Sequence, residues 1–190
     1  DFESSLEEDE FRPFFFPVID AVSLKVPGCS AVSVLNKDVY REILPDKFLP
    51  IACEKGLLSV VEKRVLNKCL DCLRDWIDRG LVPESFFVEI ALSEETLEEL
   101  DADEIKDMLS LRGLSPENLL ISSGDLENLP RLAEKLFGLE LAAECGSPCP
   151  DPGAMPALRH INVWGLEELE FQAPEIERFL ENGISFLAKG

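Results

Sequence analysis

Several residue types are scarce in this chain of 190 residues, and each shortage excludes a class of function. Its single histidine, His160, lies inside a strand pattern, and we expect a packed or surface residue there rather than a catalytic base. Basic residues number 18 against 38 acidic ones, a formal net charge of −20, so we expect neither nucleic-acid binding nor direct contact with an anionic membrane. Because no stretch approaches the ~18 apolar residues of a spanning helix, we expect no membrane helix.

Six cysteines are present, at positions 29, 53, 69, 72, 145 and 149, and the chain has no visible secretory signal. We therefore expect free thiols rather than a disulfide framework. Cys69 and Cys72 form a CxxC inside a predicted helix whose apolar face includes Cys69, so core packing explains that thiol. Two alternatives stay open: a zinc site that joins this pair to Cys145 and Cys149, and a Cys145 nucleophile served by His160.

Strand and helix patterns alternate along the chain. The predicted strands are 14–20, 29–35, 86–92, 118–123, 139–143, 158–164 and 184–188, and the predicted helices are 46–55, 57–79, a stretch from Ser93 to Gly113, 126–137 and one after Pro174. Pro17 suggests an edge or irregular position for the first strand. The alternation predicts a mostly parallel sheet covered by helices, either doubly wound or a barrel. No glycine-rich phosphate loop follows a strand, which argues against a nucleotide fold.

Four segments resemble the EAL domain in order and spacing: "EEDEFRPFFFPVID", "DKFLPIACEKGLLSVVEKRVLNKCLDCLRDWIDRG", "FFVEIALS" and "LSPENLLI". That family consists of cyclic di-GMP phosphodiesterases on a modified (β/α)8 barrel. The resemblance implies an α/β, TIM-like barrel of the EAL type that is incomplete, since the final strand and helix are missing. We expect an acidic lead-in or linker helix at 1–12 and the barrel domain at 13–190. An open barrel predicts unpaired strand edges at 14–20 and 184–188.

The family's hydrolytic site uses oxygen ligands at strand ends to hold two divalent cations. The matched positions hold Ser30 for the Glu of the Glu-Ala-Leu signature, Val34 for an Arg, Ala91 for an Asn, Ser122 for a Glu, Glu144 and Cys145 for an Asp-Asp pair, Asn162 for a Lys, Trp164 for an Asp, and Lys189 for a Glu. Glu144 is the one carboxylate left at a matched position, and Asp125 is a nearby stand-in for Ser122. The stretch "LAAECGSPCPDP" is therefore interpreted as the strand end of an eroded site, with no catalytic residue, metal or cofactor expected.

The resemblance implies three functions, in this order. The first is a catalytically inactive domain that acts as a signalling or protein-interaction module in the bacterial cytoplasm, through a protein partner or self-association. The alternative is a cyclic di-GMP receptor without hydrolysis, for which Val34, Asn162 and the negative charge predict weak binding. An active phosphodiesterase ranks third. Trp164, an indole at a strand end, is either packed beneath the Pro148–Pro156 loop or exposed as an anchor for a partner.

Overall fold

A computed structural model describes residues 2–20, 22–38, 41–124, 127–144, 160–164, 177–178 and 180–189. In chain order the elements are α1 (Phe2–Glu7), β1 (Phe11–Asp20), β2 (Gly28–Asp38), β3 (Arg41–Ile43), α2 (Pro45–Glu54), α3 (Leu58–Asp78), β4 (Phe87–Ala91), α4 (Glu94–Glu99), α5 (Ala102–Ser110), a 3-10 turn (Pro116–Asn118), β5 (Leu119–Ser123), α6 (Leu129–Lys135), β6 (Glu140–Glu144), β7 (His160–Trp164) and β8 (Ser185–Lys189). The helix predicted after Pro174 falls largely outside the described residues. Among the described helices, none is both long enough and apolar enough to cross a membrane.

The eight strands form one sheet in the order β1-β8-β7-β6-β5-β4-β2-β3, and β1 also pairs with β2. Five consecutive pairings, from β2–β4 to β7–β8, are parallel. Because β1 bonds to both β2 and β8, seven strands follow one another around a barrel, and β3 lies outside it as an extra strand on β2. Within the described residues the circuit has one strand fewer than a (β/α)8 barrel, which confirms the predicted incomplete TIM-like α/β barrel.

The expectation that β1 and β8 expose unpaired edges is wrong. Val18, Ile19 and Asp20 pair antiparallel with Lys189, Ala188 and Leu187. Backbone groups left unpaired at an edge are costly when buried, and here the two edges satisfy each other. The pairing between β1 and β8 is short, however, because within the described residues the first part of β1, up to Pro17, pairs with β2 alone. Pro17 therefore lies where the described part of β1 pairs on one side, although β1 itself lies between β2 and β8 and is not an edge strand.

Two elements differ from the sequence-based expectation. The strand β3 was not predicted, because its three residues carry two charges and, in the described part of the chain, pair with β2 alone. The acidic stretch from Ser93 to Gly113 is two helices, α4 and α5, rather than one. The chain breaks between them because the Asp101 side chain accepts a hydrogen bond from the Glu104 amide at 2.7 Å, which starts a new helix.

The 21-residue helix α3 supplies seven side chains to the outer core, the apolar layer between the sheet and the helices. Its buried side chains include Val61, Val65, Cys69 and Leu73, which recur at helical spacing as the sequence predicts. The helix ends at Asp78, and Gly80 follows with a positive φ of 65°. The Leu81 amide then bonds back to the Trp76 carbonyl at 2.9 Å.

The apolar interior has two parts. The larger part lies between the sheet and the helices and includes Phe11, Phe48 and Leu70. The smaller part consists of Val18, Leu120, Ala142 and Leu187, with Phe87 packed against it. Leu120 and Ala142 pair laterally with Glu89 and Ser122, so this apolar part directly adjoins the buried polar positions.

The segment α1 packs against the barrel, since Phe2 and Leu6 belong to the larger core cluster. The Phe2 ring lies 5.5 Å from the Phe11 ring, edge to face. Lys68 of α3 lies 2.6 Å from the Asp9 carboxylate and lowers its pKa through a hydrogen bond. These contacts tie the first ten residues to the barrel, while the division of the chain at residue 12 stays a prediction.

Candidate functional site

The predicted site positions on β2, β4 and β5 lie on adjacent strands of the barrel. Ser30 pairs laterally with Glu89 of β4, and Ala91 pairs with Ser122 of β5. Ser30 is 2% exposed and Ser122 is fully buried, whereas Ala91 ends β4 and is exposed. The parallel strands thus place these positions together, as expected for the carboxyl ends of neighbouring strands.

A carboxylate that the sequence interpretation did not single out lies among them. Glu89 is fully buried in β4, and the Ser122 hydroxyl donates a hydrogen bond to its Oε1 atom. The two residues come from neighbouring strands, 33 positions apart in the chain. One signal in the sequence could have identified it: an acidic residue at the centre of the otherwise apolar strand "FFVEIAL". Its position one layer below the strand end makes it part of the barrel interior.

The negative charge of Glu89 also reaches the other side of β2. Burial, and secondly the charge of Glu89, raise the pKa of the Cys29 thiol to about 12. Cys29 faces the outer core beneath α3, where burial likewise raises the pKa of the Cys69 thiol. These two thiols are therefore protonated and unreactive at neutral pH.

The structure does not test the zinc site that the sequence left open as an alternative for the CxxC pair. Cys69 is fully buried in the outer core, which confirms its predicted packing role. Cys72 is partly exposed, and burial raises the pKa of its thiol. Cys145 and Cys149, the other partners considered for zinc, lie outside the described residues, and so does Asp125.

The remaining predicted positions lie farther round or farther along the barrel. Val34 is 1% exposed on β2, opposite Arg12 of β1, beyond the part of β2 that pairs with β4. Glu144 ends β6 and pairs through its backbone with Asn162 of β7. The last residues of β7 and β8, Trp164 and Lys189, pair with each other. The structure therefore brings six of the predicted positions together in three lateral pairs, whereas Ser30 and Val34 pair with residues that were not predicted and Cys145 lies outside the described residues.

The turn that follows Ala91 is held by a second buried acid. Glu62 of α3 accepts hydrogen bonds from the Ser93 amide at 2.9 Å and from its hydroxyl at 2.8 Å. The Ser93 hydroxyl also accepts a bond from the Thr96 amide at 3.3 Å and so caps α4. This network fixes the end of β4 and the start of α4 as one rigid unit.

The sequence matches the family model of the EAL domain over residues 1–124. The chain belongs to the EAL domain family. The resemblance inferred from the four sequence segments is thereby confirmed.

One curated relative of this EAL domain is cyclic di-GMP phosphodiesterase PdeL of Escherichia coli (strain K12), which is 28% identical over 89 residues. The match covers 47% of this chain and 24% of that relative, so the chain spans about a quarter of its length.

Solved structures share the fold. The FimX EAL domain from Pseudomonas aeruginosa bound to c-di-GMP has a TM-score of 0.76 at 19% identity, and the alignment covers 100% of this chain and 91% of that one. The PaMucR phosphodiesterase in its c-di-GMP complex has a TM-score of 0.71 at 16% identity, covering 100% and 93%. At these identities the likeness establishes the barrel fold and leaves the chemistry to the individual residues.

The EAL fold implies two divalent cations, and the described side chains at the matched positions do not fit them. Ser30 and Ser122 present hydroxyls and Ala91 a methyl group, where hard cations prefer carboxylate and amide oxygens. The buried carboxylate of Glu89 is hydrogen-bonded to Ser122 instead. In the part of the chain that the structure describes, no three His, Cys, Asp or Glu side chains lie close enough to share a metal ion.

Proposed function

We propose that this EAL domain is catalytically inactive and acts by binding a protein partner in cyclic di-GMP signalling. The observation that carries the proposal is the hydrogen bond between Ser122 and Glu89 inside the barrel. Ser122 occupies the position that the family resemblance assigns to a metal-binding glutamate. A buried serine paired with a deeper acid is a structural element of the barrel interior, and a divalent cation at the strand ends would lack that ligand.

A hydrolysis assay tests the proposal. Purified protein is incubated with cyclic di-GMP and Mg²⁺ or Mn²⁺, and the linear dinucleotide is measured by chromatography. We expect no product above the level without protein, because a two-metal site requires several ligands together. For the same reason the single change Ser30→Glu is expected to restore no activity.

The contrary result is well defined. Steady turnover that disappears in Glu144→Ala would mean that the acid at the end of β6 still supports hydrolysis, and the proposal would fail. Turnover that Glu144→Ala leaves unchanged would point to a contaminating phosphodiesterase, which repurification of both proteins to constant specific activity resolves.

A non-hydrolysing receptor is the second candidate, favoured by the fold shared with the FimX EAL domain bound to c-di-GMP. The ligand carries two phosphates, and the chain has a formal net charge of −20, so long-range electrostatics oppose its approach. Val34 at the position of a phosphate-binding arginine removes a further attraction. We expect weak or absent binding in calorimetry at moderate salt; micromolar affinity would instead favour the receptor function.

Trp164 remains a candidate anchor for the protein partner or for self-association, because aromatic side chains dominate binding energy where they are exposed in an interface. The structure places its backbone at the end of β7, beside Lys189. We expect Trp164→Ala to weaken association more than it lowers the melting temperature. Loss of folding with unchanged association of the remaining folded protein would make it a core residue.

A further inference from the structure

Large apolar side chains are exposed at one end of the barrel. The part of the chain that the structure describes has eleven exposed large apolar residues, and seven of them lie in the connections that lead into β2, β4, β5, β6 and β8. Because these strands run parallel, their starts lie at the same end of the barrel. We call this surface, made of residues 22–27, 79–86, 111–118, 136–139 and 180–184, the amino-terminal face.

The exposed residues of the amino-terminal face follow one another around the barrel. Three of them lie in the hairpin between β1 and β2, and the others are Leu180 before β8, Leu81 before β4, Leu111 before β5 and Phe137 before β6. In the sheet β8, β1, β2, β4, β5 and β6 are consecutive neighbours. Leu111 is 85% exposed and Phe137 is 79% exposed, so neither contributes to the core. A continuous apolar surface of this kind marks an interaction site, whereas single exposed apolar residues do not.

The hairpin between β1 and β2 holds its apolar tip in one conformation. The Asp20 carboxylate accepts hydrogen bonds from the amides of Val22 at 3.2 Å and Ser23 at 2.6 Å, and the Leu24 amide donates to the Asp20 carbonyl at 2.9 Å. Leu24 has a φ of 56°, which is rare for a bulky residue, and its side chain is 73% exposed. A tip that is already ordered loses less conformational freedom when it binds.

The amino-terminal face is electrically neutral in a chain whose formal net charge is −20. It carries three basic and three acidic residues: Lys25, Arg79, Arg112, Glu84, Glu117 and Glu181. Arg79, Arg112 and Glu84 each form an ion pair with a residue of α3. Within the described residues Lys25, Glu117 and Glu181 form no ion pair, so charges of both signs remain available to a partner. This balance favours neither a strongly basic nor a strongly acidic partner.

We propose that the amino-terminal face binds a second copy of this chain in a two-fold symmetric dimer. Two chains of net charge −20 repel each other, and a neutral apolar face is where that repulsion is least. Two-fold symmetry brings the same face of both copies together, so Lys25 of each copy can meet an acid of the other. The face has roughly 30 described residues, which is the size of one side of a standard interface.

The inference goes beyond the proposed function and does not depend on it. The candidate site lies toward the carboxyl ends of the parallel strands, at the opposite end of the barrel from the amino-terminal face. A dimer formed through that face leaves the candidate site accessible, whether the site is active or not.

Sedimentation equilibrium of the whole chain tests the proposal, with a reductant present because Cys53 is exposed. Over a series of concentrations up to about 0.2 mM, we expect a reversible equilibrium between the monomer and a species of twice its mass. Added salt should tighten the dimer, because a screening length of about 10 Å at 0.1 M weakens the repulsion between the two chains. Leu81→Ser is expected to raise the dissociation constant about tenfold or more.

Leu44→Ser is the matched control, because Leu44 is 57% exposed against 59% for Leu81 and lies before α2, outside the amino-terminal face. We expect it to leave the dissociation constant unchanged. Phe137→Ser, at a more exposed position of the face, repeats the test if Leu81→Ser lowers the melting temperature.

Three results would overturn the proposal: a chain that stays monomeric throughout, equal weakening by Leu81→Ser and Leu44→Ser, or association that weakens as salt is added. Flotation of a monomeric chain with phosphatidylcholine vesicles, lost in Phe137→Ser, would assign the face to a lipid surface instead of a second copy.

Discussion

The change Ser122→Glu returns the family's acid to its matched position, and we expect it to destabilise the domain strongly. Ser122 is fully buried, and its hydroxyl is bonded to the equally buried Glu89 carboxylate. The new side chain would place a second carboxylate against the first and would also exceed the space available. Ser122→Gln introduces nearly the same volume without the charge and serves as the matched control.

The two contributions can be estimated separately. Overpacking costs about 1–3 kcal/mol in both variants. The charge penalty has an upper limit, because one carboxyl can take up a proton instead of remaining ionised. Holding it protonated costs about 1.4 kcal/mol for each pH unit above an ordinary glutamate pKa near ~4.3, hence about 3.7 kcal/mol at pH 7. We therefore expect Ser122→Glu to lose up to about 3.7 kcal/mol more than Ser122→Gln at pH 7.

Urea denaturation of Ser122→Glu and Ser122→Gln at pH 7 and at pH 5 measures the overpacking cost and the charge penalty separately. Proximity of two carboxylates raises the pKa of one in the folded state, so the stability of Ser122→Glu is lost as pH rises and recovers as pH falls. Adding Glu89→Gln should remove most of the charge penalty. If Ser122→Glu is no less stable than Ser122→Gln at pH 7, Glu89 and Ser122 do not share a buried site, and the reasoning is refuted.

Two further predictions concern β2. Gly28→Ala would place a Cβ 2.5 Å from the Phe87 ring and 2.6 Å from the Phe87 carbonyl oxygen, so we expect the free energy of unfolding to fall by about 3 kcal/mol. The control Gly124→Ala, whose Cβ meets nothing within 4 Å, should lose about 0.5 kcal/mol or less. Equal losses for the two variants in urea denaturation would contradict this prediction. Because the pKa of Cys29 is raised to about 12, its contribution is complete below an unfolded thiol pKa near ~8.5 and is lost as pH rises from there. Between pH 8 and pH 10, in reducing conditions, we expect the free energy of unfolding of Cys29→Ala to fall by about 2 kcal/mol less than that of the unaltered chain. Identical pH profiles for the two proteins would show that Cys29 contributes nothing to the pH dependence of stability.

Local signals in the sequence predicted the helices and most strands. The apolar positions of α3 recur at helical spacing and end at Gly80, and Ser93 caps α4 as expected, because both features depend on residues within a few positions. The same reasoning missed the break at Asp101. In the sequence Asp101 looks like any other acid of a charged stretch, and its role as a helix cap is visible only from its hydrogen bond to the Glu104 amide.

Long-range pairing was harder to predict. The contact between β1 and β8 joins residues nearly 170 positions apart, and no local pattern specifies it. Glu89 was overlooked because the family resemblance directs attention to Ala91, two residues later on the same strand. What the sequence did indicate is that Ser30, Ala91 and Ser122 belong together, since consecutive parallel strands bring their ends to one side of the barrel.

Single-turnover hydrolysis tests the central claim most directly. The protein is held in molar excess over cyclic di-GMP with Mg²⁺ or Mn²⁺, so even one slow turnover per molecule would be visible as linear product. If the EAL domain is inactive, cyclic di-GMP is lost over many hours no faster than in buffer alone. Complete conversion to linear product, absent in a Glu144→Ala sample prepared in the same way, would contradict the account.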